Sequence, residues 1–349
     1  MNHKKNLQLI VDILNFDNSV INLSNRLKTE DIDWEKFVAL ASRQLVLTTC
    51  YCRLKQKHLL HLLPEDLIAY LQNVTEINRN RNTDLVNQAY SISNLLARHS
   101  IKHIYFKGMG LLLSGKFEDN AERMIGDIDI LIDSSKIQKA YSILKQNGYK
   151  ESGGFNYENK NFRHLPRLID ENRLAAVELH DNILKTSKRK LLDIEHIFQN
   201  AECYDNICVP SDLHQYKINV LTTQINNLNY YYNSFTIKSY YDNLVLGIMN
   251  NKFSIENLNN DKYFISYHQK YRYWNGLGIN RRITLTQKIR FFTYKLNLSN
   301  NWFERATFMW KFFINWFFKR LNLFILNPSY RKHIMKNKVF NKTSSNLIL

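Results

Sequence analysis

The run Asp127-Ile128-Asp129-Ile130-Leu131-Ile132-Asp133 constrains this chain more than any other stretch. Successive side chains of a strand point to opposite faces, so Asp127 and Asp129 share one face while Ile128, Ile130 and Ile132 share the other. The apolar face reads as core. Two carboxylates at i and i+2 repel each other and lose hydration beside a packed sheet, and a bound cation relieves both costs. Carboxylate oxygens are hard donors, so the cation expected is Mg²⁺.

Two further runs flank this strand. Upstream, Ile101-Lys102-His103-Ile104-Tyr105-Phe106 is an extended apolar segment closed by Lys107-Gly108. Glycine there is expected to let the chain turn sharply and to bring backbone N–H groups close to a bound anion. Downstream, Leu174-Ala175-Ala176-Val177-Glu178-Leu179-His180 alternates, placing Glu178 and His180 on the face opposite Val177 and Leu179. A third carboxylate thus stands on a third strand.

In this order the three strands resemble the nucleotidyltransferase superfamily that includes DNA polymerase β. More narrowly they resemble the bacterial branch called nucleotidyltransferase family 5. The matching segments are Phe106-Lys107-Gly108, Arg123, Gly126-Asp127-Ile128-Asp129 and Val177-Glu178-Leu179-His180, and the resemblance spans residues 33–247. A lone Asp-x-Asp is weak evidence, but the ordered set is specific. The resemblance implies an α/β (α+β) fold, a polymerase β-like mixed sheet flanked by helices, with helical N-terminal and C-terminal regions.

It also implies a reaction. A nucleoside monophosphate would pass from an NTP to an unknown acceptor, whether small molecule, glycan, protein or RNA, with release of pyrophosphate. Two Mg²⁺ ions would serve it, with Mn²⁺ as the alternative, held by Asp127, Asp129 and Glu178, which are also the catalytic set. Lys107, Gly108 and Arg123 would bind the nucleotide, and residues 110–113 would begin a helix whose N-terminal amides face the phosphates. His164 and His180 are candidate substrate contacts, each weighed against a structural role. Asp242, in Ile237-Lys238-Ser239-Tyr240-Tyr241-Asp242, either binds nucleotide or caps a helix. Most relatives carry Gly-Ser or Gly-Gly after the first strand, where this chain has Gly108-Met109. Lys107, or more remotely Ser114, would have to replace the missing hydroxyl. Two rival readings follow from these features: a nucleotide- or RNA-binding protein without transfer, and a membrane-associated accessory protein of surface-polymer biosynthesis.

Around this core, 349 residues with 44% hydrophobic content suffice for a folded protein. Four cysteines make no disulfide framework, and neither Cys50/Cys52 nor Cys203/Cys208 has the spacing of a zinc pair. Buried thiols in a reducing cytosol are the expectation. The N-terminus lacks the pattern of a signal peptide, which again points to the cytoplasm. Residues 6–16 and a segment capped by Asp33 suit helices. From Pro64 onward Leu85, Ala89, Ile92 and Leu96 form one apolar stripe running to about His99. Residues 1–100 therefore read as a helical platform with Arg79, Arg81 and Arg98 on its solvated face. The catalytic core would follow at 101–200, including a helix after the Asp strand with Ser134 or Ser135 as cap and Asn147-Gly148 as stop. Residues 151–161 read as a turn region and Phe162-Arg163-His164-Leu165 as extended. A helical region at 201–260 would close the cleft, with helices at 191–200 and 211–227 beside it.

The net charge of +17 looks like a nucleic-acid signature until it is located. Residues 261–349 hold 17 Lys and Arg against two acids, so +15 of it belongs to the tail. Arg281, Arg282, Lys288, Arg290 and Lys295 alternate there with aromatic residues. Residues 306–326 then make an amphipathic helix, with Lys311, Asn315, Lys319 and Asn322 on one narrow face and Trp310, Phe313, Phe317, Leu321 and Phe324 opposite. Its charges argue against a membrane-spanning role. Residues 281–326 are expected either to rest on an anionic membrane, placing the protein at its inner face, or to bury the aromatic face on the domain, with RNA binding a third reading. Residues from 331 onward read as a frayed basic end.

Overall fold

The computed structural model of the chain describes residues 3–152, 164–247, 261–278 and 283–336. Helices α1 (His3–Leu14), α2 (Val20–Thr29), α3 (Trp34–Arg43), α4 (Leu47–Gln56) and α5 (Glu65–Arg98) precede the first strand. Asp33 caps α3 by accepting a hydrogen bond from the Lys36 amide. The stripe Leu85, Ala89, Ile92 and Leu96 is buried along α5, as its spacing predicts.

Then come β1 (His103–Tyr105), α6 (Lys107–Leu113), β2 (Ile128–Ile132), α7 (Ile137–Gln146), β3 (Lys150–Glu151), β4 (Leu168–Ile169) and β5 (Val177–His180). They build a mixed five-stranded sheet in the order β1-β2-β5-β4-β3. β1 pairs antiparallel with β2, and β2 pairs parallel with β5. That parallel register sets Ile128 beside Val177, Asp129 beside Glu178 and Leu131 beside His180. Every residue of β2 and β5 is buried, so acidic side chains on these strands need partners.

Helix α8 (Ile194–Gln199), the hairpin β6 (Ala201–Tyr204) and β7 (Ile207–Pro210), then α9 (Asp212–Leu221), α10 (Asn229–Tyr232) and α11 (Ile237–Val245) close one side of the sheet. α9 runs into a π-helical turn at Thr222–Asn226, where the sequence predicts continuous helix. The tail contributes α12 (Lys262–Trp274), α13 (Leu285–Ser299), α14 (Asn301–Leu326) and α15 (Pro328–Ile334). One core of buried apolar side chains extends from Leu7 on α1 to Leu298 on α13.

Several expectations need correction. The β6–β7 hairpin falls where no strand is expected. Its register sets Cys203 opposite Cys208, and the two form a disulfide; Cys50 and Cys52 are buried free thiols. Lys136, not a serine, stands at the N-terminus of α7, because Ser135 turns back to bond the Asp133 carboxylate. Arg79 and Arg81 are not idle surface charges. Arg79 grips Asp119 at 2.7 Å, and Arg81 donates to the backbone carbonyls of Ile125 and Gly126. Arg98 is exposed, as expected. Glu151, read as the start of a turn, closes strand β3 opposite Leu168, and 153–163, with Phe162 and Arg163, lie outside the described residues, as do Arg281 and Arg282. Arg331 belongs to α15 rather than to a frayed end.

The long aromatic helix departs furthest. Trp310, Phe313, Phe317, Leu321 and Phe324 are all exposed, so the broad face is not buried on the domain. The half-buried stripe of α14 includes Thr307, Lys311 and Asn315 instead. Among the described residues no helix is long and apolar enough to cross a membrane.

Candidate active site

The site forms where the ends of β1, β2 and β5 meet. The Phe106 amide donates to the Asp129 carbonyl at 3.3 Å, which seats the end of β1 directly beside the Asp strand. The sharp turn that follows is made by Lys107 rather than by Gly108: Lys107 has φ +56°, in the left-handed region that a side chain adopts at a cost of about 1 kcal/mol. The turn aims its ammonium at the Asp129 carboxylate, with which it makes a short ion pair. Gly110 is the glycine that packing demands, since a Cβ there would lie 2.6 Å from the Tyr105 carbonyl oxygen. α6 has seven residues, too short for much of a macrodipole.

Asp129 also accepts a hydrogen bond from His180 Nε2 at 2.9 Å. Burial alone would raise its carboxyl, but Lys107 and His180 outweigh burial and hold it below the usual carboxylate range. Glu178 follows the same pattern more strongly: burial opposes ionisation, yet His180, 3.5 Å away, and the hydrogen-bonding Arg167 hold it well below. Asp127 differs. It stands just before β2 at the half-exposed mouth, and burial raises its carboxyl against the pull of Arg167. His164 bridges to His180 across the sheet edge and lies 3.8 Å from Glu178.

Sequence reasoning missed Arg167. A single nitrogen, Nη2, lies 3.0 Å from Asp127 and 2.8 Å from Glu178, so both carboxylates converge on one point of positive charge. The signal was the position: Arg167 immediately precedes Leu168, which pairs with Val177 next to Glu178. Arg123 and Asp242 are brought together, though not as free nucleotide ligands. They form a buried two-pronged ion pair, Nε to Oδ1 at 2.7 Å and Nη2 to Oδ2 at 3.1 Å.

The platform holds this loop in place. From α5, the Asn78 amide donates to Ala121 O at 2.8 Å, and Asn82 donates to Asn120 O at 2.6 Å and Arg123 O at 2.8 Å. A polar cavity of about 230 Å³ opens beside Lys107, walled by Arg123, Gln215, Thr222, Thr223 and Lys238. Lys238, also missed, is half-buried. Burial first, then Arg123, lowers its ammonium pKa to about 8.

The donor atoms of Asp129, Glu178 and His180 lie within 4.8 Å of one another, a group able to hold a metal ion; Asp127 is outside that group. The carboxylates of the group draw cations already, since Lys107 pairs with Asp129 and Arg167 with Glu178. No curated protein matches the chain. The profile of a family described as uncharacterised nucleotidyltransferase matches residues 30–218, which include every strand described above and end before Lys238 and Asp242. With that match covering more than half the chain, the protein belongs to this nucleotidyltransferase family, family 5.

Proposed function

We propose that the protein transfers a nucleoside monophosphate from an NTP to an acceptor in the cytoplasm, releasing pyrophosphate, with Mg²⁺ as its metal. One observation carries this reading: Asp129 and Glu178 lie in register on adjacent parallel strands, and Arg167 bridges Glu178 to Asp127 with a single nitrogen. Asp129 and Glu178 would hold the cation, with Asp127 completing the set, since Mg²⁺ prefers oxygen donors. His180 orders Asp129 by hydrogen bonding; for Mn²⁺ its nitrogen would serve as a further ligand. When bound, one or two such ions activate the attacking oxygen and stabilise the leaving pyrophosphate.

The chain's own residues divide the remaining work. Glu178 is held well below the usual range and stays ionised, which suits a ligand and not a proton acceptor. Asp127, raised and half-exposed, is the group that takes the acceptor's proton. Lys107 and Lys238 face the cavity and offset phosphate charge, supplying what the Gly108-Met109 departure removes. Arg123 acts as a positioning residue by tying the loop before Asp127 to α11.

The test is to incubate the full chain with each NTP, labelled on the α-phosphate, in Mg²⁺ and a cell extract. An acceptor should become labelled with the natural protein and not with Asp129→Asn. Label arriving from the γ-phosphate would overturn nucleotidyl transfer, and NTP binding without any labelled acceptor would favour a binding protein.

A further inference from the structure

Helix α14 is not seated by its aromatic face. Thr307, Lys311, Ile314 and Asn315 are half-buried, Lys319 and Asn322 further along are exposed, and the Tyr231 hydroxyl donates to the Lys311 carbonyl at 3.1 Å. The side that faces water is aromatic: Trp310 is 70% exposed, Phe313 57% and Phe317 55%. Exposed Trp302 and Phe324 carry the apolar surface along most of the 26-residue helix, which is about 39 Å long at 1.5 Å per residue. A contiguous apolar surface of this length is uncommon on a protein without a partner for it.

The charge beside that surface identifies the partner: Arg305, Lys319 and Arg320 on the same helix, and Lys288 and Lys295 on α13, are exposed. Lys270 is buried, donates to Ser234 O at 3.0 Å and lies over the Tyr294 ring. Arg290 lies over the Tyr230 ring at 3.9 Å, with Nε and Nη2 buried and without hydrogen-bond partners. Burial first, then Arg290 and Lys311, lowers the ionisation of Lys270, and burial, then Arg290, lowers that of Lys311. Among the described residues no Lys or Arg beyond residue 260 is ion-paired with a carboxylate. The tail is therefore a wide aromatic face flanked by exposed cations without carboxylate partners.

We propose that α14 lies in the surface of an anionic lipid bilayer, its aromatic face at the headgroup and acyl boundary and its basic flanks against the headgroups. Phe and Trp around most of a helix suit acyl chains better than a nucleic acid, whose interfaces are polar. A second copy would set another +15 tail against the first, at close range and with only two acids in each to pair it. This inference is independent of the transfer reaction.

The full chain is tested by co-sedimentation with phosphatidylcholine vesicles made with or without phosphatidylglycerol, at low and high salt. The expected result is binding to the anionic vesicles at low salt, a blue shift of tryptophan emission, and at least about tenfold weaker binding to neutral vesicles. The triple variant Trp310→Gln, Phe313→Gln, Phe317→Gln should keep its melting curve, because these side chains are exposed, and lose vesicle partition by at least about tenfold. No binding to anionic vesicles at low salt overturns the proposal, and so does binding that survives the triple variant. A vesicle-inert natural protein that is dimeric, with a monomeric triple variant, would assign the face to a second copy. A vesicle-inert protein that retains RNA through these residues would assign it to nucleic acid. Either result overturns the lipid proposal.

Discussion

Arg123 and Asp242 form a buried, two-pronged ion pair across 119 residues of chain, joining the loop before the Asp strand to α11. Removing one partner strands the other charge away from water. Asp242→Ala should therefore lower stability by about 3–5 kcal/mol in urea unfolding. The double variant Arg123→Met, Asp242→Leu should recover most of that loss. A single variant as stable as the natural chain would show that the pair is solvated.

Asp127 and Asp129 should separate on substitution. Asp129 is buried and carries Lys107 and His180, so Asp129→Asn leaves an ammonium without its counter-charge and should cost about 1–3 kcal/mol without metal, besides at least about a hundredfold in transfer. Asp127 is half-exposed, so Asp127→Asn should lower transfer with little change in melting. Relief of repulsion is not expected to stabilise either variant, because Lys107 and Arg167 already neutralise the carboxylates. Equal melting shifts in metal-free protein would refute the division.

Lys238 gives nucleotide binding a pH signature. Burial, then Arg123, sets its pKa to about 8, so its positive charge is present at neutral pH and fades as pH rises through 8. NTP affinity should weaken over that interval, and Lys238→Gln should bind about tenfold less tightly at pH 7 with a flatter profile. Isothermal titration at several pH values measures both. A natural profile that Lys238→Gln does not flatten would remove Lys238 from the phosphate site.

His268 on α12 should sensitise the fold to acid. Burial lowers its pKa to about 4, with Tyr216 hydrogen-bonded to Nε2. Above about 6.5 the ring is neutral in both folded and unfolded chains. Below that the unfolded chain takes the extra proton, so stability falls as pH falls toward 4, by about 2 kcal/mol between pH 6.5 and 5. Urea midpoints of the natural protein and His268→Gln over this window should diverge at high pH and converge toward pH 5. Parallel lines would show that His268 titrates normally.

Local pattern was enough to mark the strands and their chemistry. Alternation placed Glu178 and His180 opposite Val177 and Leu179, and apolar spacing marked the buried stripe of α5, because both patterns are local consequences of backbone geometry. The Lys107-Gly108 turn was legible as a turn, but which residue takes the left-handed conformation depends on Asp129 waiting across the sheet to pair with Lys107.

Which charges meet is settled by long-range packing. Arg167 reaches Glu178 and Asp127 through a hairpin register, and Arg123 finds Asp242 across most of the catalytic region; neither pairing leaves a periodic trace in sequence. The orientation of α14 was equally out of reach. Its two faces were plain from 100° spacing, but which one meets the protein depends on what α10 and α13 offer. In the fold they hold Lys311 and Asn315 inward and leave Trp310, Phe313 and Phe317 to the outside. A helical pattern fixes which residues share a face, and the packing partners fix which face is covered.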